Sequence, residues 1–284
     1  MEGKILITAA AGNVGSEIVK ALKKNNISFK AADIKDVRDV VGNDIDYVYY
    51  DLENPETYDD AYKDVKKMFL NRPPHMTEFK NSIFPAIDAA KEASIEHIVF
   101  LSMIGVNKRV PHYKIEKYLI KTGINYTFLR ASFFMQNLIN VHGEIIRKEK
   151  DLLIPAGKGK ISFVDIRDIA AVAVKVFRDT SGAFLNKTLN LSGCEALDFY
   201  EISDLMTKEL GKKITYSNPK SKVFVNKMLT YGFPKDFVKV MKMIYFIVRL
   251  GKADQIYPDV EEILGKKPIT MRQFIKDHTD RWLE

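Results

Sequence analysis

Lys4-Ile-Leu-Ile-Thr8-Ala-Ala-Ala-Gly12-Asn-Val-Gly15-Ser-Glu-Ile-Val19, followed eighteen residues after Gly15 by Asp33, reads as a strand, a tight turn, a helix and a second strand ending in an acid. This is the layout of a dinucleotide-binding βαβ unit. Small residues let backbone N–H groups and the helix N-terminus approach a pyrophosphate, and the acid accepts bonds from ribose hydroxyls. Thr8, Ala10, Ala11, Gly12, Asn13, Val14 and Gly15 are therefore the expected phosphate-side residues, with Asp33 on the ribose. Ala9 stands where such turns usually carry their first glycine. Its Cβ either fits because φ stays negative or crowds the phosphate. An ordinary strand-to-helix turn with nothing bound is the alternative.

Apolar runs of strand length alternate with helix-period segments along the first half: Phe29–Asp33, Tyr47–Tyr50, Met68–Leu70, His97–Leu101 and Tyr126–Leu129 read as strands. Met76–Ala93 and His112–Thr122 read as helices between them. Repeated βα units predict an α/β fold, a doubly wound parallel sheet of Rossmann type with right-handed crossovers and a smaller, mostly helical C-terminal lobe. Residues 1–150 form the expected core, with about 155–192 returning to it, and 193–284 the lobe. Ligands of such a sheet sit beyond the carboxyl ends of its strands, which here carry Thr8, Asp33, Asp51, Asn71, Ser102 and Arg130. The late stripe Phe237, Met241, Ile244, Tyr245 and Val248 reads as core or as a substrate lid.

The 284 residues are 46% hydrophobic and 29% charged, the balance of a globular chain. The apolar stretch Met241–Leu250 is interrupted by Lys242 and Arg249, so no membrane span and no membrane partner are expected. No leader segment is expected before Lys4, and the single cysteine, Cys194, excludes an internal disulfide; both point to the cytoplasm. The net charge of +7 includes lysines expected on helix faces, such as Lys20, Lys23, Lys24, Lys66 and Lys67, which predicts a solvated surface and no nucleic-acid partner. His75, His97, His112, His142 and His278 show no paired ligand spacing, and no Gly-x-Ser-x-Gly elbow occurs. Metal and serine-hydrolase chemistry are not expected.

Asp51-Leu52, Phe100-Leu-Ser-Met-Ile-Gly105, His112-x-x-x-Glu116, Thr122-Gly-Ile-Asn-Tyr-Thr-Phe-Leu-Arg130, Phe133-Phe-Met-Gln-Asn137 and Ile161-Ser-Phe-Val-Asp-Ile-Arg-Asp-Ile-Ala170 follow one another in an order and spacing that resembles the NmrA-like branch of the atypical short-chain dehydrogenases. The resemblance continues through Asn190-Leu-Ser-Gly193 and Leu264-Gly-Lys-Lys-Pro268 to Trp282. It implies the fold, an NAD(P) cofactor, and either a reductase of quinones, azo dyes or triphenylmethane dyes, or a cofactor-sensing regulator. It further implies a small aromatic or quinone-like substrate, with a homodimer left open.

Short-chain dehydrogenases use a Tyr-x-x-x-Lys pair, and Tyr113-x-x-x-Lys117 matches it literally. In the register set by Glu116, however, His112 takes the lysine place and Lys108 the tyrosine place. Successive helical residues point about 100° apart, so His112 and Tyr113 are alternatives; His112 is favoured to face the nicotinamide. With an ordinary pKa near 6.5 it would donate a proton near neutral pH. Ser102 is a candidate donor to nicotinamide or substrate. Asp33 favours NAD over NADP, while Lys35 offers a charge for a 2′-phosphate. Asp51 and Leu52 are the expected adenine-side contacts, although Asp51 equally suits a turn cap. Asn71 and Arg72 end the fourth strand, Arg72 reaching either the pyrophosphate or a surface partner. Phe133, Phe134 and Phe163 are the expected walls for a flat acceptor.

Overall fold

Ile5, Leu6 and Ile7 are buried on both sides of their strand, as the middle of a parallel sheet covered on two faces requires. In the computed structural model, which describes residues 3–73, 76 and 79–283, that strand is β1 (Lys4–Thr8) of a seven-stranded sheet. The others are β2 (Phe29–Asp33), β3 (Tyr47–Tyr49), β4 (Val65–Leu70), β5 (His97–Met103), β6 (Asn125–Ala131) and β7 (Lys187–Leu191). Their order is β3-β2-β1-β4-β5-β6-β7, every pair parallel. The chain reverses direction across the sheet between β1 and β4, which is the topological switch point where such sheets bind ligands. The expected doubly wound fold is the observed one.

Helix Asn13–Lys24 buries Ile18, Val19 and Leu22 and packs on Ile166–Arg178. The other face of the sheet is covered by a core that includes Met68, Ile87, Ile98, Phe100, Ile115 and Phe128. The helix expected over Met76–Ala93 begins later, at Ile83, and ends at Glu92; Thr77 and Glu78 lie outside the described residues. Pro85 accounts for the late start. Its ring is tolerated in a first turn but clashes with the carbonyl four residues back once the helix extends upstream.

The chain divides into two compact units: residues 1–131, 166–191 and 262–265 in one, and residues 132–165, 192–261 and 266–284 in the other. Residues 132–150 thus join the second unit, because Met135, Leu138, Ile145 and Ile146 belong to its core with Phe199, Phe224, Tyr245 and Trp282. Met241, Tyr245 and Val248 of the late stripe are core, with Phe237 and Ile244 at its edge. No helix among the described residues is long and apolar enough to cross a membrane.

Candidate functional site

The turn after β1 is built around Ala9. Its φ is +51°, in the left-handed region, so of the two alternatives the one that required a negative φ does not hold. An alanine there costs roughly 1–2 kcal/mol relative to a right-handed conformation. The turn is closed by Gly12 N–H donating to the Ala9 carbonyl at 2.9 Å. Gly15 explains why the chain tightens here: a Cβ on it would lie 2.1 Å from that same carbonyl oxygen. Only glycine allows the helix start to come this close to the strand end. Ala10, whose N–H donates to the Ala32 carbonyl at 3.2 Å, and Val14 are buried beneath the turn, while Asn13 is exposed.

Helix Asn13–Lys24 has Gly12 as its N-cap, no side-chain cap, and no acid in its first turn. The N–H groups that a serine or aspartate would normally satisfy are left to solvent or to an incoming anion. The helix dipole favours negative charge at the same place.

Asp33 ends β2 beside this turn. Its Oδ2 accepts the Ala11 N–H at 2.9 Å, and its Oδ1 accepts the Lys35 N–H at 3.0 Å. Each oxygen keeps a further acceptor position, so the carboxylate is fixed in place and can still receive hydroxyls. Asp36 and Arg38 form an exposed forked ion pair that holds the Asp36 carboxyl down to about 2, and the Arg38 guanidinium lies 5.7 Å from the centre of the Tyr47 ring. Arg38 was not among the expected residues. An Asp-x-Arg pair soon after the acid that ends β2 was the available signal.

Thr8 ties β1 to β4: its hydroxyl donates to the Phe69 carbonyl at 2.9 Å and accepts the Asn71 N–H at 3.1 Å. Arg72 turns back on its own loop, its Nη1 donating to the carbonyls of Pro73 and Met76 at 3.1 and 2.8 Å. Asp51 is a turn cap, with Oδ1 accepting the Glu53 N–H at 2.9 Å. Leu52 is buried in the sheet core, its carbonyl accepting the Tyr58 hydroxyl.

Ser102 and Arg130 are neighbours in the register of β5 and β6, and both reach Glu116 on the helix Pro111–Thr122 that connects those strands. The Ser102 hydroxyl donates to Glu116 Oε1 at 2.6 Å; Arg130 donates through Nε to Oε1 at 3.0 Å and through Nη2 to Oε2 at 2.6 Å. Glu116 is buried while the Arg130 side chain keeps 30% of its surface exposed, so this is a partly buried, forked ion pair. The Ser102 proton is therefore committed to Glu116, and the hydroxyl faces any ligand as an acceptor only. Glu116 was quoted within a motif, but its partners were not read from the sequence.

His112 lies one helical residue after Pro111, with its ring centre 6.0 Å from that of Phe100. Burial, with the positive charge of Arg72 adding to it, lowers its pKa from 6.5 to about 4. That burial works against the proton donation near neutral pH expected from an ordinary imidazole. Its buried Nδ1 has no hydrogen-bond partner among the described residues. Tyr113 points elsewhere on the helix, and Lys117 Nζ lies 5.9 Å from the centre of its ring, in a cation–π geometry.

In the second unit, Phe133 and Phe163 meet edge to face with centroids 6.4 Å apart, and Phe163 packs on Phe199 within the core. Phe134 pairs its backbone with Val164. Among the described residues no group of three or more His, Cys, Asp or Glu side chains is placed to hold a metal; His75 lies outside them.

A parallel sheet that reverses its winding beside an uncapped, glycine-tightened helix start, with an acid locked against that turn, defines a dinucleotide-fold protein of the Rossmann class. The model of the NmrA-like family matches residues 1–275, and the chain belongs to that family. It is 28% identical to the NAD(P)H azoreductase of Xenophilus azovorans over 96% of this chain and 97% of that one. It is 24% identical to quinone oxidoreductase 2 of Escherichia coli over 75% and 77% of the two chains. The structure of triphenylmethane reductase from Citrobacter sp. superposes with a TM-score of 0.87 at 21% identity, covering 98% of this chain and 99% of that one.

Proposed function

We propose that the chain is an NAD(P)H-dependent oxidoreductase that passes hydride to a conjugated acceptor such as a quinone or dye. The observation that carries the cofactor assignment is the uncapped start of helix Asn13–Lys24 lying against a fixed Asp33 carboxylate. The N–H groups of Asn13, Val14 and Gly15 suit a pyrophosphate, and the open acceptor positions of Asp33 suit ribose hydroxyls. Asp33 would repel a 2′-phosphate, and Arg38 is already engaged by Asp36, so NAD is preferred over NADP. The reduced nicotinamide supplies the hydride. Family membership and the likeness to an azoreductase and a quinone oxidoreductase support the acceptor class.

The residues near the strand ends fit an acceptor that needs little acid assistance. Burial disfavours a charged His112, and the Ser102 hydroxyl donates its hydrogen bond to Glu116, so neither offers a ready proton to the acceptor. Positioning then carries most of the rate, and the proton that accompanies the hydride comes from solvent. His112, Ser102 and Tyr113 are the proposed residues nearest the chemistry, and Phe133, Phe134 and Phe163 the proposed aromatic contacts for the acceptor.

The lack of a charged acid equally favours a second reading, a sensor that binds NAD(P) without turnover. Loss of NADH absorbance across a panel of quinones and azo dyes separates the two. Consumption of NADH coupled to acceptor reduction establishes the reductase; tight cofactor binding with no consumption across the panel sinks it in favour of the sensor.

A further inference from the structure

Residues 220–252 hold eight basic side chains and one acidic one, a surplus of seven. The whole chain carries 44 basic and 37 acidic side chains, the same surplus. The other 36 cations and 36 anions cancel, so the protein's net charge resides in this one segment. The basic residues are Lys220, Lys222, Lys227, Lys235, Lys239, Lys242, Arg249 and Lys252, with Asp236 the single acid. Lys227 pairs with Glu149; no other lysine of the segment forms an ion pair among the described residues.

The same segment contains the helices Ser221–Thr230 and Lys235–Arg249. The second is apolar on two opposite sides. Val238, Met241, Tyr245 and Val248 point into the core of the second unit. Val240, Met243, Ile247 and Leu250 repeat at intervals of three and four on the outside, with Phe246 beside them. Phe246 is 59% exposed, Leu250 54% and Met243 53%. At 100° per residue, Lys235, Lys239 and Lys242 fall along one margin of this outer stripe. Val223 and Leu229 on the shorter helix are exposed as well.

An exposed stripe of this kind marks an interaction surface, and the charge decides its partner. A face that is apolar at its centre, lysine-rich at its margin and nearly free of acids matches an anionic lipid surface, whose headgroups meet the lysines while acyl chains receive Phe246, Met243 and Leu250. A second copy of the chain would set these lysines against the same lysines, and like charges oppose that contact. We propose that the helix Lys235–Arg249, with its neighbour Ser221–Thr230, docks the protein reversibly onto anionic membrane surfaces. The contact is peripheral and needs no spanning helix, of which there is none among the described residues, although it departs from the expectation of no membrane partner. It stands independently of the proposed reductase activity.

The test is flotation of the full chain with phosphatidylcholine vesicles and with vesicles that also contain phosphatidylglycerol, at low and high NaCl, beside light scattering without lipid. The expected result is flotation with the anionic vesicles only, reversed by salt. The double variant Met243→Glu, Phe246→Glu should lose it by roughly tenfold or more in partition while melting as the parent does. Lys239→Gln and Lys242→Gln, which do not touch the core, should each lower partition about fivefold. No binding to anionic vesicles, equal binding to neutral ones, or unchanged binding of the variants overturns the proposal. Lipid-free self-association that disappears in the Met243→Glu, Phe246→Glu variant also overturns it and assigns the stripe to a second copy.

Discussion

The Asp33 carboxylate accepts the Ala11 N–H at 2.9 Å, so the acid proposed to receive the ribose also pins the turn after β1. In the proposed reading one residue would then couple cofactor choice to local stability. Replacing Asp33 by Asn keeps one acceptor oxygen but loses the charge on two hydrogen bonds. We expect a loss of about 1–2 kcal/mol in unfolding free energy by denaturant titration, because bonds to a charged group are stronger than neutral ones.

Ala9 and Gly15 predict opposite outcomes at one turn. Ala9→Gly removes the left-handed strain at φ +51° and should stabilise the fold by about 1 kcal/mol, after the added entropy of the unfolded chain is set against the relief. Gly15→Ala places a methyl group 2.1 Å from the Ala9 carbonyl oxygen, where backbone must move. A loss of roughly 2–3 kcal/mol is expected, within the range for backbone strain and overpacking. Urea unfolding of the two variants reads both effects.

Glu116 accepts from Ser102 and Arg130 inside the protein. Glu116→Ala removes the charged acceptor of both side chains, with the partly exposed Arg130 left to solvent, and should cost about 2–3 kcal/mol. Ser102→Ala removes one donor while the ion pair persists, and should cost about 1 kcal/mol. A Ser102→Ala loss as large as that of Glu116→Ala would contradict this division.

Three histidines make stability depend on acid pH. Burial lowers His97 and His112 from 6.5 to about 4 and His142 to about 3, Lys67 adding to the effect at His97 and Arg72 at His112. The unfolded chain then takes up protons first. Their contribution is complete above about pH 6.5 and is lost as pH falls toward about 4, with a slope of up to about 1.4 kcal/mol per pH unit for each histidine. Melting temperature measured between pH 7 and 5 should fall, and His112→Asn should flatten the fall by about a third. Over the same range above pH 6, cofactor oxidation should show no step from His112.

The sheet was legible because its strands are short apolar runs in a regular alternation: Phe29–Asp33 was read to the residue, and His97–Leu101 lacked only Ser102 and Met103. The helix expected from Met76 was not legible to its true start, since its apolar period continues upstream of Ile83 while Pro85 sets where a helix can begin. Ala9 was recognised as irregular but its φ was not, because alanine prefers negative φ and the helix-to-strand approach that decides otherwise is tertiary. The Ser102–Glu116–Arg130 cluster escaped for a similar reason: its members are fourteen residues apart in sequence and meet only through the β5–β6 register. The outer apolar residues of Lys235–Arg249 were not read because the inner stripe alone accounts for the helix's amphipathic period.

The most direct test is calorimetric titration of cofactor-free protein with NADH and NADPH, repeated on Asp33→Ala. The account predicts that NADH binds more tightly than NADPH, and that Asp33→Ala weakens NADH about tenfold or more and narrows or reverses the preference. Absence of binding by either dinucleotide to the parent chain would contradict it, and would mean that the turn set by Ala9 is closed to phosphate.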